Sequence, residues 1–205
     1  TLPADATTGE LRAEVEYALS GIVGEIGANA GLEAVQYLPD VWGGAFAVGV
    51  EGTGAVHFVQ LGADASVTEK QTYASPFQGV MALDLDEATG VLRVLCDEVC
   101  EGRSLEMTFD GTEWTTDGTL YARPAAMPNI ANEGFASHRE TVACTLDGAE
   151  GTTTRVRLLW ADDAATDGVG LRTAVGEPGE CEAADSGPVA PGSLGGSLAP
   201  GSLGG

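Results

Sequence analysis

A weak internal repeat constrains this chain more than any other feature, because self-similarity at a period of about 20–50 residues builds stacked units rather than one continuous core. Three short markers carry it: Tyr17-Ala18-Leu19-Ser20, Tyr73-Ala74-Ser75-Pro76 and Tyr121-Ala122-Arg123-Pro124. Each precedes, after a short loop, an apolar stretch with a small residue near its start. Those stretches begin Gly31-Leu32-Glu33-Ala34-Val35, Gly79-Val80-Met81-Ala82-Leu83 and Asn132-Glu133-Gly134-Phe135-Ala136. Aligned on Glu33, Met81 and Glu133, the units recur after 48 and 52 residues, the length of a four-stranded blade.

Within each unit a second apolar strand ends at an acidic residue: Val48 to Glu51, Val94 to Asp97, Leu159 to Asp162. A third strand follows, over Gly54 to Leu61, Arg103 to Phe109 and Val169 to Val175. The alternation is clearest in Val56-His57-Phe58-Val59 and in Leu105-Glu106-Met107-Thr108-Phe109. A fourth, more polar strand leads back to the Tyr-Ala marker. The reading is therefore an all-β, β-propeller-like fold of about three four-stranded antiparallel blades. Asp86-Glu87-Ala88-Thr89-Gly90 is the expected turn between the first two strands of the middle blade. Residues 10–22 also fit an amphipathic helix, with Leu11, Val15, Leu19 and Ile22 at helical spacing.

Three blades cannot close a ring that typically needs four to eight, so the ring is incomplete and two apolar blade faces are left open. Further propeller blades or a protein partner are expected to cover them. The blades occupy residues 1–186. Residues 187–205, Gly-Pro-Val-Ala-Pro-Gly-Ser-Leu-Gly-Gly and its near-repeat, read as a flexible linker tail without core-forming capacity.

Charge narrows the partners. The 205 residues hold 31 acidic and 9 basic side chains, a formal net charge of −22, which repels nucleic acid and anionic lipid alike. No apolar run approaches the ~18 residues of a membrane span, so attachment to a membrane is expected only through an anchor outside this sequence. Cys96 and Cys100 lie in Cys-Asp-Glu-Val-Cys, one residue longer than a redox or zinc Cys-x-x-Cys. A local disulfide fits that spacing better than zinc, and Cys144 and Cys181 pair by elimination. Both pairings imply an oxidising, extracytoplasmic compartment, with the protein secreted or attached to the cell surface.

Several acids fall at strand ends, near what would be a channel mouth: Glu33, Asp97, Glu133, Asp162 and Asp163. With the carbonyls of Asn129 and Asn132 they are hard oxygen donors suited to calcium rather than to a transition metal. A cation held there could polarise a phosphoryl oxygen and activate a water. The competing reading is that these acids bond backbone amides and hold the blades in register. His138 is the better general-base candidate of the two histidines, since His57 sits on an alternating strand. No Gly-x-Ser-x-Gly elbow, phosphate-binding glycine loop or His-Glu-x-x-His occurs. Arg123 and Arg155 are expected to pair with nearby carboxylates, and Trp42, Trp114 and Trp160, one per blade, to pack between blades.

Four segments together carry a family resemblance. They are Ala30-Gly31-Leu32-Glu33-Ala34-Val35, Cys96-Asp97-Glu98-Val99-Cys100, the run from Pro124 through Asn132-Glu133-Gly134-Phe135-Ala136, and Leu159-Trp160-Ala161-Asp162-Asp163. From about Asn29 to Glu180 the chain resembles the phytase-like esterases, described as having "esterase-like activity of phytase". The resemblance implies a secreted bacterial β-propeller acting on phosphate or other esters, often with calcium in related phytases. Two functions follow as expectations: a non-catalytic interaction or accessory module of a cell-envelope assembly, or a calcium-assisted phosphoesterase or esterase.

Overall fold

A computed structural model describes residues 14–183, which form three separate antiparallel sheets. The first is a meander of β1 (Leu32–Leu38), β2 (Ala45–Val50), β3 (Ala55–Leu61) and β4 (Val67–Ala74). The second contains β5 (Ala82–Asp86), β6 (Val91–Leu95), β7 (Ser104–Phe109) and two short outer strands on β7, β8 (Trp114–Thr115) and β9 (Leu120–Tyr121). The third contains β10 (Asn132–Leu146), β11 (Ala149–Asp162), β12 (Leu171–Val175) and β13 (Glu182–Ala183). The sheets begin where the repeat places them, and Tyr73 and Tyr121 end the outer strands of the first two. β1 packs on β5 and β5 packs on β10, so the first strands of successive sheets stand side by side, as in a propeller whose ring is not closed.

Strand chemistry follows position. β2 and β3 lie in the middle of their sheet and read as almost unbroken apolar runs, whereas the outer β4, Val-Thr-Glu-Lys-Gln-Thr-Tyr-Ala, is polar and largely exposed. Between β5 and β6 the chain reverses over Asp86–Gly90, where the Gly90 amide donates to the Asp86 carbonyl and Gly90 adopts a φ of 70°.

Sheets one and two share the main core, built from Leu38, Ala47, Val56, Phe58, Val80, Leu92, Val94, Leu105 and Met107. The tryptophans pack between sheets as expected. Phe58 stacks on Trp114 with centroids 5.6 Å apart, while Trp42 meets Phe58 and Phe109 edge-on. Gln71 of β4 pairs its side-chain amide with the Trp114 backbone in both directions, at 2.7 and 2.8 Å, tying the two outer strands together. Sheets two and three share a smaller apolar cluster, Ala82, Leu95, Ile130 and Trp160, reinforced by polar bonds. There Ser137 donates to Asp84, and Arg139 binds the buried Asp86 carboxylate in bidentate fashion at 2.6–2.9 Å.

Both disulfides form, Cys96–Cys100 and Cys144–Cys181. Two disulfides with no free cysteine among the described residues fit an oxidising, extracytoplasmic environment. No helix among the described residues is long and apolar enough to cross a membrane.

Three expectations need correction. The amphipathic helix over residues 10–22 reduces to a single turn, Ser20–Val23, with residues 14–19 irregular and residues 10–13 outside the described range. Gly24, at a φ of 76°, closes that turn at its C-terminal end. The third sheet also has no separate fourth edge: β12 and β13 lie end to end along the same side of β11, because β10 and β11 form one hairpin of 15 and 14 residues. Arg123 bonds the carbonyls of Met127 and Glu101 rather than a carboxylate, while Arg155 does pair with Glu140 at 2.6 Å. The linker tail, residues 187–205, lies outside the described residues.

Candidate functional site

Two β-bulges place the first acids. In β1 the register to β2 shifts between Leu32 and Ala34, and in β10 the register to β11 shifts between Asn132 and Gly134. Glu33 and Glu133 are therefore the extra, unpaired residues at the same point of sheets one and three, and a bulge re-aims the side chain it carries. Met81 holds that place in the second sheet, its amide donating to the Leu95 carbonyl at 2.9 Å.

A second trio follows the second strands. The Glu51 amide donates to the Gly31 carbonyl and the Asp163 amide to the Ala131 carbonyl, each at 3.0 Å, the same bond in two sheets. Asp97 occupies the matching position after β6. Glu33, Glu51, Asp97, Glu133 and Asp163 thus gather at one end of the three sheets, the end from which β1, β5 and β10 start.

Glu133 feels the gathering most. Partial burial, then repulsion from Glu33, Asp163, Asp97 and Glu51 in that order, pushes its carboxyl up to about 7. Its surface nevertheless stays exposed, so protons and cations reach it and solvent screens part of the repulsion.

The remaining predicted ligands sit deeper. Asn132 and Asp162 face each other across β10 and β11, both buried. Asp162 accepts from the Thr166 amide at 2.9 Å and lies 3.7 Å from Arg172, which is the register-holding role and not that of a free ligand. Its Oδ1 and both polar atoms of Asn132 are buried without a hydrogen-bond partner. Asp97 divides its role: it joins the acids around Glu133 and also caps the 3₁₀ turn Glu98–Cys100 by accepting from the Val99 amide. Asn129 donates its amide to the Glu98 carbonyl.

The gathered acids do not form a ready cation cage. Among the described residues, one set of three cysteine, histidine or acidic side chains has its ligand atoms within 4.8 Å of one another: Cys96, Asp97 and Cys100, whose sulfurs are joined to each other. A cation at the mouth would need the carboxylates to close on it.

His138 does not reach the acids. It lies five residues from Glu133 along β10, about 16 Å at the rise of a strand, and on the face turned away from sheet two. Its exposed ring therefore has no part in a site at the mouth. His57 is buried and bonds Glu69 and Thr72 on β4, a structural arrangement. Glu51 is the member that motif reading left out of the ligand set. Its place beside Asp97 at the end of a second strand was the signal that could have found it, although the repeat set Asp162 there and the structure sets Asp163.

No protein-family model matches the chain, and no curated protein matches it.

A stability test reads the combined effect of burial and crowding on Glu133. A glutamate whose folded carboxyl titrates near 7 binds its proton more tightly folded than unfolded, so stability falls as pH rises from about 4.5 to 7. Glu133→Gln is expected to melt like the parent at pH 4 and to be more stable at pH 8, by about 1 kcal/mol once solvent screening is allowed for. Equal melting of variant and parent at both pH values would show that neither burial nor the neighbouring acids act on Glu133.

Proposed function

We propose that this chain is a non-catalytic interaction module of an extracytoplasmic, cell-envelope assembly. One observation carries the reading: the face of the third sheet turned away from sheet two presents Leu159, Leu171 and Val175 to solvent, with Leu171 63% exposed. An apolar sheet face of this kind marks a contact surface. The two disulfides support an extracytoplasmic setting, and attachment to the cell surface is part of the proposal.

A second reading, a calcium-assisted phosphoesterase or esterase, is favoured by the acids that surround Glu133. Calcium would bring them together and supply a polarised, more acidic water. Two measurements separate the readings. Calcium titration followed by thermal melting is expected to leave the melting temperature within about 1 °C of the calcium-free value. Assays on a phosphomonoester and on a carboxylic ester, with calcium present, are expected to give no turnover. Turnover that disappears in Glu133→Gln would overturn the non-catalytic reading in favour of the hydrolase.

A further inference from the structure

The contact repeated inside this chain is first strand against first strand, β1 on β5 and β5 on β10. Among the described residues, each end of that series carries exposed apolar side chains. Phe135, Ser137 and Arg139 of β10 face sheet two, so Ala136 and His138, alternating with them, face outward. They share that outer face with Arg155, Arg157, Leu159, Leu171 and Val175. At the other end Ala34 and Leu38 of β1 join the core shared with sheet two, which turns Val35 and Tyr37 outward. These are 67% and 50% exposed, although Val48, His57 and Val59 further across the same face are buried. The open apolar surface of sheet one therefore lies along β1, where the series would continue.

The two ends differ in charge. Among the described residues, the outer face of the strands of sheet three carries Arg155 and Arg157 against one acid, Glu140, which both arginines bind. That is a local excess of positive charge on a chain of net −22. Glu69, which pairs with His57, lies on the outer face of sheet one, Glu33 is the second residue of β1, and Glu25 lines a cleft with Leu32 beside it.

Resting on the reading of this protein as an interaction module, we propose that the partner is a second copy of the chain. The outer face of β10–β12 in each copy packs on β1 of the other. The three described sheets of each of two copies make six, within the four to eight that close a propeller, whereas those of three copies would make nine. Each contact joins unlike faces, and two such contacts related by a two-fold axis close without leaving a free end. The net charge opposes association, so the contact depends on its apolar centre and on screening at physiological salt, where the Debye length is about 8 Å.

Light scattering on the size-separated chain in 0.15 M salt (about physiological ionic strength) is expected to give twice the 20.8 kDa chain mass. Leu171→Glu and Val35→Glu change exposed positions at opposite ends, and each alone is expected to weaken association at least about ten-fold while keeping the parent's circular dichroism. An equimolar mixture of the two variants is expected to recover a two-chain species, because one pair of unaltered faces remains. A monomer at concentrations up to about 0.1 mM, or a dimer indifferent to either substitution, overturns the proposal. So does a mixture that shows no recovery. Hydrolytic turnover, by contrast, would overturn the module reading and leave the association measurement standing by itself.

Discussion

Replacing Cys144 and Cys181 together by serine is expected to cost about 4 kcal/mol of stability, and the same change at Cys96 and Cys100 only about 2 kcal/mol. The difference follows from the loops closed, 37 residues apart in one case and 4 in the other. The longer bridge also has a structural task. Cys144 on β10 stands opposite Gly151 on β11, and Gly151 stands opposite Ala183 on β13, so the sulfurs span the central strand of the third sheet. A side chain at Gly151 would collide with the Glu182 carbonyl and stand 3.0 Å from the Cys181 sulfur, which explains the glycine there. Chemical denaturation of the two double variants checks the order. Equal losses at the two bridges would remove the loop-length argument.

Arg139→Ala is expected to be nearly as damaging, about 3 kcal/mol, because it leaves the Asp86 carboxylate buried between sheets two and three without its partner. The apolar cluster between these sheets is small, so the ion pair holds a larger share of their contact than it would in the main core. The effect also has a pH signature. The Arg139 guanidinium, through its hydrogen bonds and charge, holds the Asp86 carboxyl below the usual aspartate range against the opposing effect of burial. Stability from this pair is complete above the unfolded aspartate value near 4 and is lost as pH falls through the lowered folded value. Urea midpoints at pH 7 and pH 3 are therefore expected to differ less in Arg139→Ala than in the parent. An unchanged pH dependence would show that the pair contributes geometry without energy.

The polar contact between sheets two and three matters for function because it orients the third sheet. Ser137 and Arg139 fix one face of β10 on β5, and alternation then commits Ala136, His138 and the arginines of β11 to the opposite face. A weakened Asp86–Arg139 pair would therefore disturb the outward surface proposed for association as well as the stability of the fold. The acids at the mouth depend on the same docking, since Glu133 is the second residue of the strand that Arg139 anchors.

Much of this architecture was legible in the residues. The Tyr73-Ala74 and Tyr121-Ala122 markers, the acids at or just after the second strands and the apolar runs of β2 and β3 are local patterns, and local alternation records which side of a strand meets water. The cysteine pairs were legible for a similar reason: one spacing suited a tight local bridge, and only two sulfurs then remained. The length of the third hairpin had a signal too. Asp147-Gly148, both at positive φ between paired Leu146 and Ala149, is a two-residue hairpin turn that marks where β10 ends and β11 begins. The helical spacing of Leu11, Val15, Leu19 and Ile22 misled because periodicity states a preference, and a short isolated segment nucleates a helix at a cost that spacing alone does not offset.

By itself, the sequence determined the strands of the first two units, the grouping into three units and the bridges, because each depends on neighbours close along the chain or on a count of cysteines. Only the tertiary structure decided which acids act on one another. Glu33, Glu51, Asp97, Glu133 and Asp163 come from three sheets, and charge repulsion depends on separation in space, which two bulges and the side-by-side packing of β1, β5 and β10 set. The same packing turned His138 away from them and left Leu171 and Val35 facing outward at opposite ends of the stack.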